Sequence, residues 1–229
     1  MTLKFGCFVT GTDTDVGKTL IAAALLHKCR EQGWRAIGMK PVAAGCVQDE
    51  QGVWRNADVI ILEAAAGAAN IGAAPDDINP YLFHEAIAPH LAAAHQGVRI
   101  DLARILTSFQ RLQTQADAIV VEGAGGFLVP LAEGFDSADL AHALNLPVVL
   151  TVSMRLGCLN HALLTQEAIA ARGLRLAGWV ANRVDPAMAC FDENLATLQE
   201  RLRAPLLGVV PFLESPEPAN VARQLTLPI

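Results

Sequence analysis

Residues 11–19 read Gly11-Thr12-Asp13-Thr14-Asp15-Val16-Gly17-Lys18-Thr19 and stand between apolar runs at residues 5–9 and 20–26. The runs predict a strand before the segment and a helix after it, an order typical of a phosphate-binding loop. Backbone N–H groups of such a loop converge on nucleotide phosphates, and the helix N-terminus adds partial positive charge. Lys18 would reach the terminal phosphate oxygens, and the Thr19 hydroxyl would bind Mg²⁺. The segment therefore predicts a protein that uses ATP.

The spacing of this loop departs from the general pattern, which places four residues between its two glycines. Five residues separate Gly11 from Gly17, and Thr12 stands where the first glycine is expected. A turn that only caps a helix would explain Gly17 and Thr19 but would leave Lys18 unexplained. We therefore favour nucleotide binding.

Length and composition favour an α/β protein with small-molecule ligands. The 229 residues are enough for one large domain, and we expect residues 1–229 to form a single P-loop domain. Hydrophobic residues make up 52% of the chain and aromatic residues only 5%, which suits a helix-flanked parallel sheet better than a sandwich. The net charge is −6, without a cluster of Lys or Arg. We expect neither nucleic acid nor a membrane surface as a partner.

The cysteines favour a reducing compartment. Five are present, widely spaced and without a Cys-x-x-Cys pair, at positions Cys7, Cys29, Cys46, Cys158 and Cys190. This pattern is typical of free thiols and not of a disulfide framework or a structural metal site. The N-terminus lacks a signal-peptide core, and no uncharged apolar stretch approaches membrane-spanning length. We expect a cytoplasmic protein.

Short apolar runs alternate with segments of helical spacing along the chain. The runs that predict buried strands are residues 5–9, 36–39, 118–121, 147–152, 177–181 and 206–210. The segments that predict helices are residues 18–32, 57–66, 102–115, 137–144, 160–171 and 192–202. The small-residue stretch 64–75 predicts a surface loop. The alternation implies right-handed βαβ units and an α/β fold, a mostly parallel sheet flanked by helices on both faces, of the P-loop NTPase type.

In such sheets ligands bind beyond the carboxyl ends of the strands. Glu122 ends the third run, where nucleotide-hydrolysing folds hold a carboxylate that organises Mg²⁺; its alternative is a pair with a neighbouring lysine. Lys40 ends the second run and could stabilise a transferred phosphoryl group, or lie at the surface with only its stem buried. Asp58 could bind Mg²⁺, or it could serve with Asn56 only to cap a helix.

Two other chemistries are not favoured. The turn Gly123-Ala124-Gly125-Gly126 lacks the third glycine of a dinucleotide fingerprint, because Leu128 stands in its place. Cys158 and His161 are spaced as a thiol nucleophile and its base near a helix start could be. Small thiols often only pack, however, and the phosphate loop already accounts for a different chemistry.

Several motifs in order resemble the dethiobiotin synthetase family over nearly the full length of the chain. They are the loop at 11–19, Lys40-Pro41-Val42-Ala43, Asn56-Ala57-Asp58, Val121-Glu122-Gly123-Ala124-Gly125-Gly126, Leu156-Gly157-Cys158-Leu159-Asn160-His161-Ala162 and Gly178-Trp179-Val180-Ala181-Asn182. The five-residue spacing inside the loop is what that family shows. The resemblance implies a Mg²⁺- and ATP-dependent enzyme that closes a cyclic urea from 7,8-diaminononanoate and CO₂.

The resemblance also implies roles for individual positions. Lys18 and Lys40 would be catalytic and stabilise charge on carbamate and phosphoryl oxygens. The implied metal ligands are Thr19, Asp58 and Glu122. The other implied ATP-binding positions are Thr14, Asp15, Val16, Gly17, Gly123, Ala124, Gly125, Asn182, Arg183, Pro211, Phe212, Leu213 and Glu217, among which Asn182 would read the adenine. The implied substrate-binding positions are Thr14, Lys40, Ala44, Gly125, Leu156, Gly157, Cys158 and Asn160.

The family further implies a homodimer, in which backbone N–H groups near residues 156–160 bind the diamine's carboxylate across the interface. Two positions depart from the family pattern: Ala44 replaces the usual Ser, and Asp15 stands where Glu is common. A lost hydroxyl removes a substrate hydrogen bond, so we expect activity with weaker substrate binding.

Two alternative functions share this fold. A regulatory ATPase of the partitioning or metal-insertion type carries a signature lysine early in the loop, where this chain has Asp13. The ATP domain of a corrinoid a,c-diamide-type synthetase normally accompanies a glutaminase domain, which we do not expect within 229 residues. The resemblance favours the synthetase of a cyclic urea.

Overall fold

The computed structural model describes residues 3–67 and 72–228. Its strands are β1 (Phe5–Gly11), β2 (Ala36–Met39), β3 (Val42–Ala44), β4 (Val47–Gln48), β5 (Trp54–Arg55), β6 (Tyr81–Phe83), β7 (Ala118–Glu122), β8 (Pro130–Ala132), β9 (Phe135–Asp136), β10 (Val148–Ser153), β11 (Leu176–Asn182) and β12 (Leu206–Val210). Its helices are α1 (Lys18–Glu31), α2 (Ala57–Ala66), α3 (Pro75–Ile78), α4 (Pro89–His95), α5 (Leu102–Gln113), α6 (Ser137–Leu144), α7 (Cys158–Ala171), α8 (Phe191–Arg201) and α9 (Pro218–Ala222).

A six-stranded parallel sheet forms the centre of the protein. Its spatial order is β12-β11-β10-β1-β7-β2, and each neighbouring pair is parallel. Strand β1 lies inside the sheet, with Phe8 opposite Val148 on one side and Val121 on the other. Parallel pairing brings the carboxyl ends of all these strands to one edge, which is where ligands bind in such folds.

Helices cover both faces of this sheet because successive side chains of a strand point in opposite directions. Cys7 and Val9 of β1 pack in a buried cluster with residues of α1, α2 and α9. Phe8, between them, packs in the cluster that contains the buried faces of α5 and α6. A further cluster joins β10 and β11 to α7 and α8 through Leu150, Trp179 and other buried residues. The predicted α/β class is confirmed.

The strands and helices predicted from periodicity are confirmed to within a few residues at their ends. The sequence analysis missed only short elements: the parallel pair β3–β6, the antiparallel pairs β4–β5 and β8–β9, and α3, α4 and α9. Segments this short contain too few residues for a period to be recognised. The predicted loop at 64–75 overlaps the end of α2, and residues 68–71 lie outside the described part of the chain. Within the described ranges, no helix has both the length and the apolarity needed to cross a bilayer.

Candidate active site

A cavity of about 1030 Å³ opens at the carboxyl edge of the sheet. The phosphate loop, the ends of β2 and β7 and the start of α2 contribute its polar wall, while β3, the segment 86–89 and the turn after β7 contribute the rest. The cavity contains Lys18, Lys40, Asp58 and Glu122. The topology therefore brings the predicted catalytic and metal-binding residues to one place.

The phosphate loop is held in a conformation that requires glycine. Gly17 has φ of 90° and leads directly into α1. A Cβ atom on Gly17 would lie 2.3 Å from the side-chain nitrogen of Asn182. That nitrogen donates a hydrogen bond of 2.8 Å to the carbonyl of Val16. Among the described residues no side chain caps the N-terminus of α1, so its free N–H groups are available to an anion.

Lys18 lies across the loop that precedes it. Its ammonium donates to the backbone carbonyl of Asp13 at 2.9 Å, and the side chain is buried. Burial and, to a smaller extent, the nearby charge of Lys40 together lower the pKa of Lys18 to about 8, against the opposing charge of Glu122. The lysine is thus held against the loop by this hydrogen bond.

Lys40 makes a buried ionic network with two carboxylates. Its Nζ donates to Asp58 Oδ2 at 2.8 Å and to Glu122 Oε1 at 2.5 Å. The Thr19 hydroxyl donates to the same Glu122 oxygen at 2.9 Å. The side chains of Lys40 and Glu122 are only 5% and 1% exposed. Lys40 is therefore not a surface lysine, and the alternative pairing of Glu122 with a neighbouring lysine is observed.

Two capping hydrogen bonds orient Asp58 toward this network. The Asn56 side chain accepts hydrogen bonds from the backbone N–H groups of Asp58 and Val59 and so caps α2. The Asn56 amide also donates to the carbonyl of Gly45 at 2.9 Å. Burial raises the pKa of Asp58, but the charge of Lys40 and its hydrogen bond outweigh burial and hold the pKa below its usual value. Asn56 caps, whereas Asp58 is directed into the site.

The network is suited to Mg²⁺. The second carboxylate oxygen of Glu122, Oε2, is buried and has no hydrogen-bond partner among the described residues, and such an orphaned acceptor is suited to a cation or its bound water. The Thr19 hydroxyl lies next to the carboxylates of both Glu122 and Asp58. The described residues contain no cluster of three or more His, Cys, Asp or Glu that could hold a metal. Mg²⁺ commonly takes one or two carboxylates and completes its coordination with water and phosphates.

The residues predicted to bind the adenine lie at and beyond the ends of β11 and β12. These strands are on the other side of β1 and its phosphate loop from β7 and β2. Asn182 reaches the loop through Val16. The Arg183 N–H donates to the Val210 carbonyl, and its guanidinium stacks over the Phe191 ring at 4.8 Å. The remaining predicted positions are exposed and lie outside the cavity: Pro211, Phe212, Leu213 and Glu217.

The residues predicted to bind the substrate carboxylate lie around the start of α7 and do not line this cavity. Leu156 is 98% exposed, and Gly157 has φ of 95°. Cys158 is buried, and burial raises the pKa of its thiol. A nucleophilic cysteine needs the opposite shift, so the structure does not support a Cys158–His161 pair.

Some cavity residues escaped the sequence analysis. These are Val42, the segment 86–89, Leu128 and Val129. The segment 86–89 follows the short strand β6, whose sequence Tyr81-Leu82-Phe83 is an apolar run that could have marked a further strand. The other three contribute apolar surface, which carries no chemical signature in a sequence.

The sequence is similar to curated proteins over its whole length. The profile of one family, described as an AAA domain, matches residues 6–220. An ATP-dependent dethiobiotin synthetase BioD from Aromatoleum aromaticum is 55% identical over 228 residues, which cover 100% of both chains. Another protein of that name, from a Janthinobacterium species, is 54% identical over 228 residues, 98% of this chain and 95% of the relative.

Solved structures with the same fold are more distant in sequence. The septum site-determining protein MinD from Pyrococcus horikoshii, complexed with Mg-ADP, has a TM-score of 0.56 at 17% identity, over 92% of this chain and 82% of its own. The signal recognition particle receptor FtsY from Elizabethkingia anophelis has a TM-score of 0.55 at 14% identity, over 99% of this chain and 63% of its own. At these identities the similarity concerns the fold alone.

Proposed function

The chain belongs to the family of ATP-dependent dethiobiotin synthetases, and from this premise we propose that it converts 7,8-diaminononanoate, CO₂ and ATP to dethiobiotin, ADP and phosphate. The observation that carries the proposal is the cavity in which Lys18 and Lys40 both face the phosphate loop and the turn after β7. Two buried ammonium groups in one cavity are suited to a reaction with two anionic groups, a triphosphate and a carbamate.

The proposed reaction has three steps in which atoms and charges balance. An amine nitrogen of the substrate attacks the carbon of CO₂ and loses a proton, which gives a carbamate. A carbamate oxygen attacks the γ-phosphorus of ATP, and the bond from that phosphorus to ADP breaks. The second amine attacks the carbonyl carbon of this mixed anhydride, loses a proton and expels phosphate, which closes the cyclic urea. Phosphorylation by ATP thereby makes a carbamate oxygen part of a good leaving group, phosphate.

Residues of this chain bind and orient the reactants. The N–H groups of the loop and of the start of α1 bind phosphate oxygens. Lys18 and Lys40 stabilise the negative charge that moves between phosphoryl and carbamate oxygens, an electrostatic role that fixed cations perform well in a water-poor site. Thr19, Asp58 and Glu122 would hold Mg²⁺, which neutralises phosphate charge when bound.

Three finer features belong to the same proposal. Asn182, with Arg183 and the segment 211–217, binds the base and ribose beyond the phosphate loop. The protein is a homodimer in which residues 156–160 of one subunit bind the carboxylate of the substrate in the other. All five cysteines lie within the described ranges and are free thiols. The reaction takes place in the cytoplasm, a reducing compartment in which thiols stay reduced.

The comparisons favour this function over both alternatives. Full-length identity of 54–55% to two dethiobiotin synthetases is much closer than the 17% identity to a MinD protein, whose likeness concerns only the fold. We therefore set aside the regulatory ATPase and the corrinoid-type synthetase.

The test measures ADP release by the purified protein with Mg²⁺, ATP and ¹³C-bicarbonate, with and without 7,8-diaminononanoate, while mass spectrometry follows the organic product. We expect diamine-dependent ADP release and one labelled carbon in the cyclic urea. ATP binding without that product would contradict the proposal.

The lysine roles have a separate test. Lys18→Ala and Lys40→Ala should each lose product formation by at least about a hundredfold, the usual loss when a preorganised charge is removed. Lys28→Ala is the matched control, because Lys28 pairs only with the surface residue Glu31 among the described residues. Circular dichroism would establish that all three variants are folded. Turnover retained by either cavity variant would remove that lysine from the proposed role.

A further inference from the structure

The ammonium of Lys40 lies between the two carboxylates that are suited to the metal. It is 2.8 Å from Asp58 Oδ2 and 2.5 Å from Glu122 Oε1. A metal ion that bound these two oxygens would therefore have to displace the ammonium of Lys40 from them. Since Lys40 and Glu122 are almost fully buried, solvent screens this competition only weakly at Glu122, whereas Asp58 is 37% exposed.

The charges next to Lys40 are paired within the protein. The ammonium groups of Lys18 and Lys40 lie in the cavity with the carboxylates of Asp58 and Glu122, and two further carboxylates, Asp13 and Asp15, lie on the phosphate loop at the cavity wall. A divalent cation that arrived alone would add two positive charges near two ammonium groups, which is costly at short range in a poorly solvated site. A divalent cation that arrives with a polyphosphate brings its own negative charge.

We propose that Lys40 and the divalent cation compete for Asp58 and Glu122, so that the metal enters this enzyme with the nucleotide and not before it. The inference rests on the proposed function for the identity of the metal and the nucleotide. It concerns the order of binding and assigns Lys40 a second role, that of an internal cation which keeps the two carboxylates from taking up metal on their own.

The surroundings of Lys40 give its ammonium an alternative position. The carbonyl of Gly123 lies 3.5 Å from Nζ, at the start of the turn whose residues 124–126 line the cavity. An ammonium released from one carboxylate can keep a partner in this backbone and face the cavity. Entry of the metal with its nucleotide would in this way direct Lys40 toward the anionic groups that react.

The test measures Mn²⁺ binding to nucleotide-free protein, with electron paramagnetic resonance reporting the free Mn²⁺. Wild-type protein should bind Mn²⁺ weakly. Lys40→Met removes the competing charge and should bind Mn²⁺ at least about tenfold more tightly, because it leaves two carboxylates without a cation. Lys40→Arg keeps the charge and should bind nearly as weakly as the wild type. Lys28→Met, on the surface, should match the wild type.

Equal or weaker Mn²⁺ binding by Lys40→Met would overturn the inference, as would tight binding by nucleotide-free wild type. If thermal melting shows that Lys40→Met does not fold, Lys40→Gln replaces it, since a glutamine still donates to Asp58 or Glu122 without the charge. The measurement uses no diamine. A wild-type protein that formed no dethiobiotin but behaved as described toward Mn²⁺ would overturn the proposed function and leave the competition standing.

Discussion

Gly17 shows at the scale of one residue how the phosphate loop depends on its backbone. Its φ of 90° is disfavoured for any residue with a Cβ, and a Cβ would displace the Asn182 side chain that holds the Val16 carbonyl. We expect Gly17→Ala to weaken ATP binding at least about tenfold, because the backbone cost of about 1–2 kcal/mol adds to the loss of this contact. Isothermal titration calorimetry would measure the affinity.

Gly33→Ala separates the two effects. Gly33 follows α1 with φ of 73°, and a Cβ there would meet no atom within 4 Å. This variant should lose only stability, by about 1 kcal/mol, and should bind ATP like the wild type. Normal ATP affinity in Gly17→Ala would contradict the steric argument.

Ala44 is the position at which this chain departs from the serine usual in the family. It lies in β3 on the wall of the cavity, and its carbonyl accepts a hydrogen bond from Asn56 at 3.3 Å. Ala44→Ser would add a hydroxyl toward the substrate, and a hydrogen bond is worth about 0.5–1.5 kcal/mol. We expect the KM for 7,8-diaminononanoate to fall about two- to tenfold. Steady-state kinetics would measure it, with Ala94→Ser, outside this cavity, as the control. An unchanged or higher KM in Ala44→Ser would count against a substrate contact.

The residue types at the site were predictable from the sequence, whereas their partners were not. A phosphate loop and a carboxylate at a strand end are local patterns, so Lys18, Thr19 and Glu122 could be identified. The pair between Lys40 and Glu122 joins residues 82 positions apart. The distance between these two side chains depends on the order of β2, β7 and β1 in the sheet, which the periodicity of the sequence does not reveal. The sequence analysis therefore left the alternatives for Lys40 open.

At the scale of elements, Asp117 joins the amino ends of three neighbouring strands. Its Oδ2 accepts hydrogen bonds from the backbone N–H and the Nε of Arg35, just before β2, at 3.0 and 3.1 Å. Its backbone carbonyl accepts from the N–H of Lys4, just before β1, at 2.8 Å. The hydrogen bonds from Arg35 lower the pKa of Asp117 to about 2. The carboxylate of Asp117 thus helps to align β2 with β7, and its backbone carbonyl joins β1 to them.

We expect Asp117→Asn to lower the melting temperature slightly at pH 7, and the difference from the wild type to shrink as the pH falls. Because the folded pKa lies below the unfolded value of about 3.9, the stabilisation is complete above that value and is lost between about pH 4 and pH 2. The effect is small because the Asp117 carboxylate is partly accessible, so that solvent screens its interactions. Scanning calorimetry at several pH values would measure it, with Glu50→Gln as a surface control. A constant difference from pH 7 to pH 3 would exclude this linkage.

The elements of the large sheet were predictable because buried parallel strands are continuous apolar runs. The pair β3–β6 was not, although it carries Ala44 and leads into the cavity segment 86–89. Each of its strands has three residues, and their pairing joins segments that are distant in the sequence. Such a pair depends on tertiary packing, since two short strands are not stable alone.

At the scale of the whole molecule, the cysteines report on different parts of the core. Cys29 lies in the cluster formed by α1, α2 and α9 on one face, and Cys158 lies in the cluster around α7 and α8. Burial raises the pKa of Cys29 to about 12 and also raises the pKa of Cys158. Cys190 is the exposed thiol of the five. Thiol reactivity should therefore distinguish the exposed Cys190 from Cys29 and Cys158, which are buried on the two sides of the sheet.

We propose that the whole chain unfolds as one domain, and thiol labelling tests this. In the native protein one thiol per chain should react rapidly with Ellman's reagent, and Cys190→Ser should abolish that reaction. With increasing urea, Cys29 and Cys158 should become reactive in a single transition, because both clusters pack on the same sheet and lose their cover together. Peptide mass spectrometry after pulse labelling would follow each cysteine separately. Two well-separated urea midpoints for Cys29 and Cys158 would contradict the proposal. They would show that the region of β1 and α1 unfolds separately from the region of β10, β11 and α7.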